Sequence, residues 1–191
     1  MRASFLAISL LAFLLSPLRL AAQTPASPTI TDFQRALTGS WVGTLEYRDY
    51  SEPATSTKRV KLPTWLNIKA EGADLRFSYI YDDGPTKTVT EVSLIRVDFA
   101  AARYSVIDST GKVEDSYAIS GIQNLRQGRS TLTLTGAGTE NKAPVEVRTT
   151  LRIGRNILEI TRETTAAGQP FTFRHAYTLV RAAPPAPTAG N

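Results

Sequence analysis

The chain has one histidine, His175, and its neighbours at a spacing of two are Phe171, Phe173, Tyr177 and Leu179. Tyrosines recur at the same spacing elsewhere, at Tyr47, at Tyr79 and Tyr81, and at Tyr117. Phenol hydroxyls and one imidazole set in an apolar wall are the groups that fix the orientation of a small apolar or amphipathic ligand. The same imidazole could move a proton or bind a metal. Against these roles stands a simpler one, in which aromatic rings fill a small core and their polar tips reach its rim.

Other chemistries find no residues. Cysteine is absent, which excludes thiol nucleophiles, Cys-ligated zinc and iron–sulfur clusters, and leaves an exported chain to be stabilised by its core alone. There is no G-x-S-x-G elbow, no H-E-x-x-H and no second histidine, so hydrolytic triads and His-rich metal centres are out, and no catalytic or metal-ligating residue is assigned. Asp82-Asp83-Gly84-Pro85 is explained by turn geometry, with Asp49 only a further carboxylate near a strand end. Ser109-Thr110-Gly111-Lys112 lacks the glycines and the helix of a phosphate loop and reads as a hairpin turn.

Positioning the tyrosines and His175 requires strands. Between residues 37 and 182 period-two alternation dominates, and strands are expected near 40–50, 56–70, 73–82, 86–98, 102–108, 113–122, 130–137, 144–153, 156–164 and 171–181. Turn residues separate them, including Glu71-Gly72, Gln127-Gly128, Gly136-Ala137-Gly138 and Ala167-Gly168. Short connections make sequential antiparallel neighbours, and closure removes the unpaired edges. The expected fold is therefore all-β, a closed antiparallel up-and-down barrel of about eight to ten strands.

Alternation also assigns faces. The inward set is Trp41, Gly43, Leu45 and Tyr47; Val60, Leu62, Thr64, Leu66 and Ile68; Leu75, Phe77, Tyr79 and Tyr81; and, later, Tyr117, Ile119, Leu132, Leu134, Val145, Val147, Leu151, Ile153, Phe171, Phe173, His175, Tyr177 and Leu179. Opposite faces carry charges such as Glu46, Lys61, Arg76, Arg148 and Arg174. An outer-membrane barrel needs the reverse polarity, an apolar exterior around a polar lumen, so a transmembrane barrel is not expected. Trp65 has outward parity, and a bulge at Pro63 is expected to turn it in.

The ends of the chain differ from its middle. Met1-Arg2, the run Phe5–Leu15 that is apolar but for Ser9, and Leu20-Ala21-Ala22 read as a secretory signal over 1–22. The protein is then exported, to a periplasm or the extracellular space. Arg2 and Arg19 contribute to the formal +5 and leave with that segment, so the remainder is only mildly basic. Its cations are scattered, which argues against a nucleic-acid partner. Residues 23–36 read as a flexible segment in which Asp32–Leu37 can make a helical turn that plugs the barrel, and 183–191 as a disordered Pro-rich tail around a single barrel domain, 37–182.

Gly39-x-Trp41-x-Gly43 at the first strand, together with the strand pattern and a basic residue ending the last strand, resembles the calycin superfamily, which includes the lipocalins and ten-stranded fatty-acid-binding and nitrobindin-like barrels. The pattern covers 37–182, the motif only the G-x-W. The resemblance implies that Trp41 sits at a closed barrel end and packs on Arg181, which makes Gly39, Trp41, Gly43 and Arg181 structural. It implies a ligand site at the other end, with Tyr47, Tyr79, Tyr81, Tyr117 and His175 as candidates. No cofactor is expected; the alternative is a barrel enzyme that uses His175 as an acid/base residue or, as the nitrobindin-like resemblance implies, as a haem ligand. A third reading is an interaction protein of the cell envelope whose barrel holds no cavity.

Overall fold

A computed structural model of the chain describes residues 27–53 and 56–183. The expected signal segment and residues 184–191 of the expected tail lie outside the described residues. A helix, α1 (Ile30–Leu37), precedes ten strands: β1 (Gly39–Arg48), β2 (Arg59–Glu71), β3 (Asp74–Asp82), β4 (Thr88–Asp98), β5 (Arg103–Ile107), β6 (Val113–Ser120), β7 (Ser130–Glu140), β8 (Ala143–Ile153), β9 (Ile157–Thr165) and β10 (Thr172–Arg181). A 3-10 helix, Ile122–Gln127, interrupts the series between β6 and β7. Every strand pairs with its sequence neighbour, and β1 pairs with β10 to close the barrel.

One end is closed. Thr29 caps α1 through a capping box with Asp32, and Phe33 and Leu37, four residues apart on one face, are fully buried in the barrel mouth. The segment 23–36, read as flexible, thus contains a packed helix from Ile30 onward. Gln34 Nε2 donates to the carbonyl of Gly72 at 2.9 Å, and Phe33 meets Phe99 edge-on at 6.1 Å. Below the helix Trp41 is fully buried and donates its indole N–H to the Leu37 carbonyl at 2.9 Å. The Arg181 guanidinium lies 4.1 Å from the Trp41 ring centre and donates to the carbonyls of Thr38 and Ala36 at 2.6 and 3.0 Å. The two glycines of the motif are required for different reasons, Gly39 by a φ of +137° and Gly43 by close approach to the β10 backbone. A Cβ at Gly39 would lie 2.5 Å from Arg181 Nη1, and one at Gly43 would lie 2.0 Å from the Thr178 carbonyl oxygen.

Three local expectations are corrected. The glycines at 136 and 138 do not turn the chain; they lie within β7 in register with Val147 and Val145, and the hairpin turns at Asn141-Lys142, both at positive φ. No bulge forms at Pro63, which stays opposite Thr44 where the β2–β3 ladder, beginning at Thr64, has already stopped. Trp65 therefore remains outside and 46% exposed, in a transverse row with Val42, Val180 and Ile80. The bulge is instead in β10, between Phe173 and His175, where Arg174 is the extra residue. It reverses the parity of everything before it. Phe173 and Phe171 stack on the outward guanidiniums of Arg59 and Arg148, and Arg174 turns in to become buried.

Candidate functional site

The half of the interior away from α1 is not filled. A cavity of about 440 Å³ opens there, within the range of small-molecule sites. Tyr47, Tyr79, Tyr81, Tyr117 and His175 all line it, so the structure brings together the five residues singled out from the sequence. Gly39, Trp41, Gly43 and Arg181 are at the opposite, closed end and do not line it. The interior is thus not solid, as a cavity-free interaction protein would require.

Aromatic rings form one wall. Tyr79 stacks parallel to Tyr81 at 5.9 Å, and Tyr177 tilts against Tyr79 at 5.2 Å. The hydroxyls of Tyr81 and Tyr177 are 2.9 Å apart, and Tyr81 also donates to the Glu91 carboxylate at 3.2 Å. Tyr177 must then donate to Tyr81, giving a directed chain from Tyr177 through Tyr81 to Glu91. Across the barrel Tyr117 pairs with Tyr104, their rings 6.5 Å apart. Gly136 makes room for Tyr117: a Cβ there would come within 2.9 Å of its ring.

Charged groups enter this space from two walls. Glu91 stands on β4 at the exposed rim, on the parity of Ser93 and Ile95, and the half-buried Arg162 on β9, on the parity of the buried Leu158 and Ile160. In the ring of ten strands β9 and β4 are five places apart, on opposite sides. Arg162 Nη2 donates to the Tyr117 hydroxyl over a long 3.4 Å, and its guanidinium is 5.9 Å from that ring. Among the described residues no carboxylate is within ion-pair distance of it. Neither residue emerged from the sequence reading; for Arg162 the signal was available, because alternation in Leu158-x-Ile160-x-Arg162-x-Thr164 puts it inside.

At the mouth, Arg174 forms an ion pair with Glu140, which also accepts from the Thr164 hydroxyl at 2.8 Å. Tyr50 stacks on Tyr47 at 6.4 Å and lies between the guanidiniums of Arg48 and Arg174. Burial, reinforced by the Arg162 and Arg174 charges, pushes the His175 imidazole down to about 4. Burial pushes Tyr177 up to about 12, and raises Tyr79, Tyr81 and Tyr104 as well. At neutral pH the histidine and these tyrosines are all uncharged.

A ligating histidine is held by an acceptor on its second nitrogen, and none of the described residues accepts a hydrogen bond from His175. Its ring stands edge-on to Tyr177 at 5.5 Å, with two guanidiniums disfavouring an added cation. Among the described residues no three His, Asp or Glu side chains converge to hold a metal ion. Comparison with known protein families and with curated proteins gives no match for this chain.

Proposed function

We propose that this protein is a calycin-like container, exported to the periplasm or the extracellular space, that holds a small amphipathic ligand in the open half of its barrel. The observation that carries the reading is the contrast within one interior, filled at the α1 end and hollow among the tyrosines. Beside it, Gly136 makes room for the Tyr117 ring and Gly138 for the Val147 side chain, which a Cβ at either would meet. The protonation states favour binding over acid–base catalysis. A general acid or base works best with a pKa near the working pH, whereas His175 is driven down and Tyr177 up. The exterior carries Lys61–Glu46, Arg96–Asp74 and Arg152–Glu159 ion pairs, which favours water over lipid around the barrel.

N-phenyl-1-naphthylamine, whose fluorescence rises in apolar surroundings, tests the reading. The native protein should enhance it saturably. Ser93→Trp, which fills the cavity from β4, should abolish the enhancement while leaving the far-ultraviolet circular dichroism unchanged; Trp65→Ser, on the outer face, should leave it intact. Enhancement that survives Ser93→Trp and is lost with Trp65→Ser would place the dye on the outer wall and end the proposal.

A further inference from the structure

Resting on that reading of the cavity, we infer that its ligand is a compact aromatic molecule with an anionic group at one end and a hydrogen-bond donor at the other, seated between Arg162 and Glu91. The two charges enter from opposite walls. They do not pair with each other, so both keep hydrogen-bonding capacity for something placed between them. Arg162 has five N–H donors and spends one, weakly, on the Tyr117 hydroxyl. Arg174, an arginine nearer the mouth, is already neutralised by Glu140. His175, beside Arg162 on the adjacent strand, is uncharged at neutral pH and adds a polar but not a cationic group.

The Glu91 pole is built for a donor. Its carboxylate has about four acceptor sites, of which Tyr81 takes one. The Tyr177–Tyr81 chain points its protons toward Glu91, so this wall repels an anion and accepts an N–H or O–H. The ligand's polarity is thereby fixed: anion to β9, donor to β4. Between the poles the walls are rings, Tyr79, Tyr81 and Tyr177 on one side and Tyr104 and Tyr117 on another. Planar faces of this kind favour an aromatic body over a flexible aliphatic chain, which would have to surrender its rotamers on entering.

Three probes with one naphthalene body separate the contributions: 5-aminonaphthalene-1-sulfonate carries both ends, naphthalene-1-sulfonate the anion alone, and 1-naphthylamine the donor alone. Titration calorimetry at pH 7.5 should rank the first tightest, with each end adding about tenfold, the lower range for a hydrogen bond to a charged group. Arg162→Gln should erase the sulfonate's advantage and leave 1-naphthylamine unchanged, while Arg162→Lys keeps part of it. Glu91→Gln should lower only the two amines. Equal affinities in the native protein, or an equal loss of all three in Arg162→Gln, overturn the inference. Failure of all three to bind, or binding that Ser93→Trp does not disturb, overturns the container reading instead.

Discussion

Arg181 and Arg162 project into the same barrel from adjacent strands, and their surroundings are opposite. Arg181 lies on the Trp41 ring and donates to the carbonyls of Thr38, Ala36 and Arg155. Arg162 has one long contact with a phenol and a hollow in front of it. A guanidinium is costly to bury without partners. At the closed end that cost is offset inside the chain, in contacts that tie α1, the start of β1 and the end of β10 together. At the open end Arg162 is only half-buried and makes no such ties, and a free hydrogen-bonding surface is what remains. The difference separates a strut from a seat, and substitutions at the two ends should respond accordingly.

The largest effect belongs to the closed end. Trp41→Ala removes a fully buried ring on which Leu37 and Arg181 depend, and should cost about 3 to 5 kcal/mol in urea unfolding. Arg181→Met keeps apolar contact with the ring but removes three hydrogen bonds from a charged donor, and should cost about 2 to 3 kcal/mol. A loss below about half a kcal/mol in either variant would mean the closed end does not hold the barrel, and the comparison would collapse.

How much of this was legible in the sequence varies along the chain for physical reasons. Ten strands and the inward faces of β1, β2 and β3 follow from alternation, because nothing interrupts the pairing there. The first half of β10 was misassigned because a bulge leaves no mark on the letters: Phe171, Phe173 and His175 alternate perfectly, yet one inserted residue puts the first two outside and the third inside. Pro63 suggested a bulge that the structure does not need, since the ladder to β3 begins one residue later. Arg162 has inward parity, but a charged residue is ordinarily placed in water, and only the cavity in front of it removes that objection. The cavity itself depends on volumes summed around the ring of strands, and the two glycines that make room for Tyr117 and Val147, Gly136 and Gly138, resemble a turn when read along the chain.

Next in size is a pH effect from the open end. His175 faces Arg162 on β9, Arg174 on its own strand, and the Tyr47 and Tyr177 phenols, with no carboxylate partner among the described residues. Its folded value of about 4 lies below the ordinary 6.5. As pH falls through 6.5 the unfolded chain takes a proton that the folded one refuses, so stability is lost between about 6.5 and 4, and this group takes no more below that. At pH 5 the loss relative to pH 7.5 should be about 1 to 2 kcal/mol, because each pH unit below the unfolded value costs about 1.4 kcal/mol. Carboxylates titrate in the same region, so the measurement is the difference between the native protein and His175→Gln. Parallel pH profiles for the two would mean that a carboxylate pairs with the imidazole in solution.

The smallest effect is the most pointed. If Arg162 held the barrel together as Arg181 does, Arg162→Met would destabilise it by a comparable 2 to 3 kcal/mol, roughly the worth of its charged hydrogen bonds. Its contacts say otherwise: one phenol at 3.4 Å and, among the described residues, no carboxylate. Removing a charge that the fold leaves uncompensated should change unfolding free energy by less than about 0.5 kcal/mol, or raise it. The sign matters more than the size, because a residue that costs stability where it stands is retained for something other than stability. Equal losses at the two arginines would make both of them struts; a neutral or stabilising Arg162→Met beside a costly Arg181→Met leaves the guanidinium of β9 available for a ligand.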